Sequence, residues 1–254
     1  MDMSPKTITL DACAPDFEFA ISSNEYGFYC VPSKYARREA PKMLSKGEVY
    51  EAATVALIRR IIERGGDVVS GGAFIGDFFP GLSDALTDDA EIHSFEPNPY
   101  TRAATQYTIA LNDLDRVNLH PCAVGAEPGN VSLQVENAHG VAMAGTSKIV
   151  DGDSPGATVS VDIARLDDLV AKERSVSLIH LDVEGYEVPA LTGAGRILET
   201  NAPYLVLEAG KQWMRRQIES HLNKAHPELG YAFCGMVNRN AVYRALAKET
   251  VAAT

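Results

Sequence analysis

Cysteine is scarce in this chain. The four residues Cys13, Cys30, Cys122 and Cys234 are scattered, and no two of them form a Cys-x-x-Cys pair. This argues against a structural zinc site and against a disulfide framework, and it fits a reducing compartment. Cys122 and Cys234 lie in apolar, strand-like runs, which predicts two buried, inert thiols. Positive charge is also short. Lys and Arg number 23 against 34 Asp and Glu, a net charge of −11, so no general nucleic-acid partner is expected. No apolar run approaches the ~20 residues that span a bilayer. Residues 1–17 lack a basic stretch followed by an apolar one, so no secretory signal is read there. Together these absences predict a cytoplasmic protein with no membrane partner. No internal repeat is visible.

What is present suits a packed globular chain. Its 254 residues, 46% of them apolar, are enough for one large domain with a small cap. The most informative stretch is Val68-Val69-Ser70-Gly71-Gly72-Ala73-Phe74-Ile75-Gly76-Asp77. It reads as a buried strand that breaks into a glycine turn and opens a helix from about Gly76 to Leu86. Such a turn lets a ligand approach bare backbone and the positive end of a helix. Glu96 follows Gly76 by twenty residues, at the end of the apolar run Ile92-His93-Ser94-Phe95. A carboxylate at that spacing can accept hydrogen bonds from both hydroxyls of a ribose. Turn and acid together predict an adenosine-containing ligand. In the dinucleotide frame Gly-x-Gly-x-x-Gly, Ala73 stands where the middle glycine belongs, and its methyl group crowds a pyrophosphate. The reading therefore tilts from a nicotinamide cofactor toward S-adenosylmethionine. The plainer alternative is a loop that only lets a helix pack close to a strand.

Along the chain, residues 1–46 read as a β-rich cap, with strands at Phe17–Ile21 and Phe28–Val31. A basic cluster follows at Lys34, Arg37, Arg38, Lys42 and Lys46, more readily a solvated face than an anion site. Residues 47–254 read as a second, larger domain. Val55, Ile58 and Ile62 predict a helix over 48–64. Asn98 and Pro99 are a helix cap and first turn, with the helix running to about Leu111. Strands are expected at 117–120, 177–182 and 203–208, and helices near 166–172, after Glu187 and at 213–224. Residues 131–135 and 158–162 alternate as half-exposed strands do. The long segment 138–156 between them reads as mobile or substrate-facing. The stretches 231–237 and 241–246 read as a closing hairpin. Strand–helix alternation predicts a doubly wound, mostly parallel α/β sheet with that antiparallel hairpin at its edge.

The loop Ser70–Asp77, Phe95-Glu96-Pro97-Asn98, Ala123-Val124-Gly125, Leu166-Asp167 and Leu181-Asp182-Val183-Glu184-Gly185 occur in that order. The pattern resembles the FkbM-type S-adenosylmethionine-dependent methyltransferases over roughly residues 48–208. The resemblance implies a Rossmann-like class I methyltransferase fold and O-methylation of a hydroxyl on a sugar or small-molecule natural product. It places S-adenosylmethionine against Ser70, Gly71, Gly72, Ala73, Gly76, Asp77, Glu96, Pro97, Asn98, Ala123 and Asp182. Two residues depart from the family pattern: Ser70 replaces the usual aspartate, and His180 the usual lysine.

Asp182, Glu184 and His180 are the candidates for proton removal, with Asp182 favoured by its place at a strand end. His180 is a base or a satisfied core residue. Glu184 is a base, an orienter of the acceptor hydroxyl, or a brace for its turn. Asp77 contacts the cofactor's amino group or only caps a helix. Three carboxylates at one sheet edge, Glu208 being the third, can in principle hold Mg²⁺, but no compact ligand motif supports a metal and none is expected. A nicotinamide oxidoreductase and a non-catalytic module of the same fold remain as alternatives. Oligomeric state stays open, a homodimer included.

Overall fold

The computed structural model describes residues 14–87, 89–150 and 155–246. Cys13, the first part of the expected cap and residues 151–154 of the expected long loop lie outside them. In order the elements are β1 (Phe19–Asn24), β2 (Gly27–Pro32), α1 (Glu39–Leu44), α2 (Ala52–Ile62), β3 (Asp67–Gly71), α3 (Phe79–Ser83), β4 (Ile92–Phe95), α4 (Pro99–Leu111), β5 (Val117–His120), β6 (Ala123–Val124), β7 (Gly129–Gln134), β8 (Lys148–Val150), β9 (Thr158–Ala164), α5 (Leu166–Leu169), β10 (Val176–Leu181), α6 (Glu187–Thr192), α7 (Gly195–Asn201), β11 (Tyr204–Glu208), α8 (Gln212–Ala225), β12 (Tyr231–Val237) and β13 (Asn240–Ala245).

Seven strands form the main sheet in the order β12-β13-β11-β10-β3-β4-β5. The ladders from β11 across to β5 are parallel, and only β13 runs against its neighbours. Successive residues of a strand face opposite sides, and the core divides accordingly. Val68, Leu178 and Val206 join Val55, Ile58 and Ile62 of α2 and Phe79 and Leu82 of α3 on one face. Val69, Ile179, Leu205 and Leu207 join Leu191 of α6, Ile197 and Leu198 of α7, and Ile218 and Leu222 of α8 on the other. Helices therefore cover both faces of a mostly parallel sheet, as the strand–helix alternation predicts.

The hairpin β1–β2 packs on α4. The Cys30 amide donates to Thr108 Oγ1 at 3.0 Å, and Asn112 clasps both backbone groups of Phe28. Residues 123–164 hold a feature that the sequence reading does not resolve. The alternating segments form a separate four-stranded sheet, β6-β9-β7-β8, closed over Ala123, Leu133, Val161 and Ile163.

Three expectations need correction. The helix after the glycine turn is five residues long, beginning only at Phe79 with Pro80 in its first turn, so no long helix aims its positive end at the turn. The helix expected over 48–64 covers Ala52–Ile62, because Glu51 holds a left-handed φ of 46°, which an α-helix cannot continue. Cys234 is exposed. The register of β12 slips between Phe233 and Gly235, a bulge that breaks the alternation and turns Phe233 and Cys234 both outward. Cys122 is buried, as expected.

At the amino ends of the central strands, Asp67 is only 1% exposed. It accepts hydrogen bonds from Arg174 Nε at 2.6 Å, His93 Nε2 at 2.9 Å and the Glu91 amide at 2.9 Å. Burial alone would raise its pKa, but these donors outweigh burial and hold the carboxyl at about 2. Its folded pKa lies below its unfolded value, so its stabilising contribution is present above about pH 4 and fades as pH falls toward 2. Asp67→Asn is expected to destabilise the protein by about 3 kcal/mol. Urea titration at pH 7 and at pH 3 checks this, with a smaller difference between variant and parent at the lower pH.

Candidate active site

One cavity of about 280 Å³ lies over the carboxyl ends of the central strands. Its wall includes Ser70, Gly72, Ala73, Asp77, Glu96, Pro97, Ala123, His180, Asp182 and Glu184. Gly71, Gly76 and Asn98 stand behind that wall. A β-carbon on Gly71 would meet Leu181 Cδ2 at 2.8 Å, and one on Gly76 would meet Thr108 Cγ2 at 3.2 Å. Gly72, at φ +85°, is the strictest case, since a β-carbon there would lie 2.0 Å from the carbonyl oxygen of Asp182. The glycines are thus required by close packing of the turn on β10 and α4. The same packing sets the turn's backbone at the cavity.

Glu96 is 7% exposed. Its Oε2 accepts from the Phe74 amide at 2.8 Å and its Oε1 from the Asn98 amide at 2.9 Å. Burial outweighs these donors and pushes its pKa up to about 7. Each carboxylate oxygen has two acceptor positions, so these two amides leave capacity for a ligand, part of it within reach of the Thr101 hydroxyl. Asn98 is committed elsewhere. Its Oδ1 caps α4 by accepting from the Tyr100 amide at 3.1 Å, and its Nδ2 donates to Ser147 Oγ at 3.3 Å. Asp77 caps no helix, since Phe78 precedes α3 and no side-chain cap is made there. Burial, with Glu51's charge, pushes Asp77 to about 7.

The two departures from the family pattern are neighbours. Ser70 and His180 are register partners across β3 and β10, with Ser70 Oγ 3.5 Å from His180 Nδ1. Burial lowers His180 to about 4, so the imidazole is neutral at pH 7. A neutral pair thus stands at the two positions where the chain departs from the family pattern.

Beyond β10, oxygens of Asp182, Glu184 and Glu208 lie within 4.8 Å of one another, close enough to share a cation. Glu184 holds a left-handed φ of 53°. It does not brace its turn. That task falls to Glu187, whose Oε1 accepts from the Val183 and Gly185 amides, each at 3.2 Å. Burial, then the charges of Glu208 and Glu187, raises Glu184 to about 7. Burial and Glu208 raise Asp182 well above the usual carboxylate range. Glu208 itself is paired with Arg239 at 2.7 Å.

The sequence reading missed Tyr50, Glu51 and Phe78, which also line the cavity. Tyr50 and Phe78 stack with ring centres 6.5 Å apart. Glu51 accepts from Thr54 Oγ1 and Asn240 Nδ2, both at 2.8 Å, which ties the start of α2 to the first residue of β13. Of the basic cluster, Arg38 reaches the cavity, while Lys34, Arg37, Lys42 and Lys46 are exposed.

Five cavity acids have raised pKa values, Glu51 (raised chiefly by its burial) with Asp77, Glu96, Asp182 and Glu184, and these have a defined effect on stability. Each is easier to ionise in the unfolded chain, so their combined contribution to stability is greatest below about pH 4.5 and falls as pH rises through 7 and above. The melting temperature of the ligand-free protein is expected to drop between pH 5 and pH 8. At pH 8, Asp182→Asn is expected to melt above the parent, with calorimetry as the check.

Residues 70–233 match the methyltransferase FkbM domain. A protein from Beauveria bassiana (strain ARSEF 2860) described as methyltransferase 1 is 31% identical over 124 residues, which are 40% of this chain and 48% of that protein. The match thus spans about half the length of that relative. Among solved structures, a methyltransferase FkbM from Methylobacillus flagellatus KT superposes with a TM-score of 0.51 at 19% identity, over 71% of this chain and 43% of that one. M. jannaschii TYW2, solved in complex with AdoMet, also gives 0.51, at 13% identity and over 91% and 89% of the two chains. These structural likenesses establish the class I methyltransferase fold. With more than half of its length matched, from the end of β3 into β12, the chain belongs to the FkbM methyltransferase family.

Proposed function

We propose that this protein binds S-adenosylmethionine and methylates a hydroxyl oxygen of a small molecule, a sugar or a natural product. The observation that carries the reading is that Glu96 and the Asp182–Glu184–Glu208 group line one cavity. Glu96 follows β4, Asp182 follows β10 and Glu208 ends β11. In the sheet order β11-β10-β3-β4, Glu96 and Glu208 are three strand spacings apart, about 14 Å. That span accommodates a nucleoside at one end and an acceptor at the other.

When bound, S-adenosylmethionine supplies a methyl group on a sulfonium: the acceptor oxygen takes the methyl as the carbon–sulfur bond breaks, leaving S-adenosylhomocysteine. The free acceptor positions of Glu96 suit the ribose hydroxyls, and Ala73 and Ala123 offer backbone and small side chains to the rest of the nucleoside. Asp182 and Asp77 face the positive charges of the methionyl end. The acceptor lies between the ring faces of Tyr50 and Phe78 and the carboxylate of Glu184, which receives the hydroxyl proton. A base of pKa about 7 is well matched to that task near neutrality. His180, neutral and packed edge-on to Phe78, shapes the wall. Family membership leaves the nicotinamide alternative without support.

Calorimetric titration with S-adenosylmethionine and with NAD, followed by assay of S-adenosylhomocysteine release over a panel of hydroxyl compounds, tests the proposal. The methyl donor is expected to bind and NAD not to. Glu96→Ala is expected to weaken binding roughly 10- to 100-fold. Glu184→Gln is expected to lower kcat about 10²–10⁴-fold with little change in donor affinity, and to remove the rise in rate as pH increases through 7. Binding of NAD alone would overturn the proposal, and donor binding without turnover over the panel would favour the non-catalytic alternative.

A further inference from the structure

Residues 136–147 form a roof over the cleft. After β7 the chain turns back through an antiparallel bridge between Glu136 and Ala142. It then sets Met143, Ala144, Gly145, Thr146 and Ser147 into the cavity wall. Gly145 rests on the glycine turn, where a β-carbon would lie 3.5 Å from the Phe74 ring. Ala144 holds a left-handed φ of 56°, a conformation that persists only where its surroundings enforce it.

The enforcement comes partly from residues far away in the chain. Arg38 Nη2 donates to the Ala142 carbonyl at 2.7 Å, and Lys34 Nζ lies 3.3 Å from Glu136 Oε1. Tyr35 between them is buried with Ala142 and Ala144. A third tie, from Asn98 Nδ2 to Ser147 Oγ at 3.3 Å, holds the end next to β8, and the two at the near end are unequal. The Lys34–Glu136 pair is open to solvent on both sides, 44% and 33% exposed, and such pairs contribute little. Arg38 is half-buried, and its bond is charge-assisted in a partly dry site, where such bonds are stronger. Arg38 also lines the cavity, and its charge reaches Glu184.

We infer that Arg38 is a positioning residue for the nucleoside end of the site: it latches the roof, which rests on the glycine turn, to the segment ahead of α1 and so sets how fast the cleft admits and releases S-adenosylmethionine and its product. The inference rests on the proposed cofactor. It gives the segment ahead of α1 a task in the reaction, holding a loop that the sheet alone does not hold.

Two measurements test it. In ligand-free protein, amide hydrogen exchange over residues 136–147 is expected to speed up roughly tenfold or more in Arg38→Ala, with β3 and β10 unchanged. Arg38→Lys is expected to restore part of the protection. In stopped flow, S-adenosylhomocysteine is expected to leave Arg38→Ala at least several-fold faster than the parent, with KM for the methyl donor raised more than kcat is lowered. Lys34→Ala is expected to have a much smaller effect in both measurements. Unchanged roof exchange in Arg38→Ala overturns the latch, whether or not the cofactor assignment is right. Faster exchange in Arg38→Ala with no binding of S-adenosylhomocysteine to the parent overturns the cofactor assignment, and with it the role in release, while the latch itself stands.

Discussion

The site depends on one close approach of backbone to backbone. Residue 72 crosses the end of β10 so tightly that the carbonyl of Asp182 occupies the space a side chain would need. Only glycine, without a β-carbon and at ease with positive φ, can pass there. That crossing joins the turn after β3 to the carboxylate-bearing turn after β10. The two turns carry the two halves of the cavity wall, so their relative position is set by main-chain contact rather than by flexible side chains. Glu96 then fixes the third edge by holding the Phe74 and Asn98 amides at once.

Electrostatically the site is under tension. Asp77, Glu96, Asp182 and Glu184 are all pushed toward the neutral form, mainly by burial and partly by one another. A fold under no functional constraint would replace such groups. Their presence, in a cleft whose expected occupant is a cation, fits a site whose ligand supplies the missing countercharge. Asp67 shows the contrary arrangement at the other end of the same sheet, where donors are built in and the carboxyl is held ionised.

Much of this was legible in the sequence because it rests on local rules. Short apolar runs marked the parallel strands. Asn98 and Pro99 marked the start of α4, and glycine spacing with Glu96 marked the cleft. What could not be read rests on long-range geometry. Alternation at 131–135 and 158–162 announces strands but does not say that they leave the main sheet and pair with each other. The brace by Glu187 and the outward turn of Cys234 depend on a turn and a bulge whose positions composition does not reveal. Tyr50 and Glu51 carry no motif, and lie in the turn just ahead of α2. Arg38 lay within a cluster that read as solvent-facing, and one of its five members is not.

The tie between Glu51 and Asn240 spans 189 positions of the chain. It anchors the Glu51 side of the cavity wall on the last hairpin of the sheet. During synthesis, which proceeds from the amino end, Glu51 is made well before its partner on β13. A nascent chain therefore lacks this anchor for the Glu51 side of the cavity wall until translation has passed residue 240.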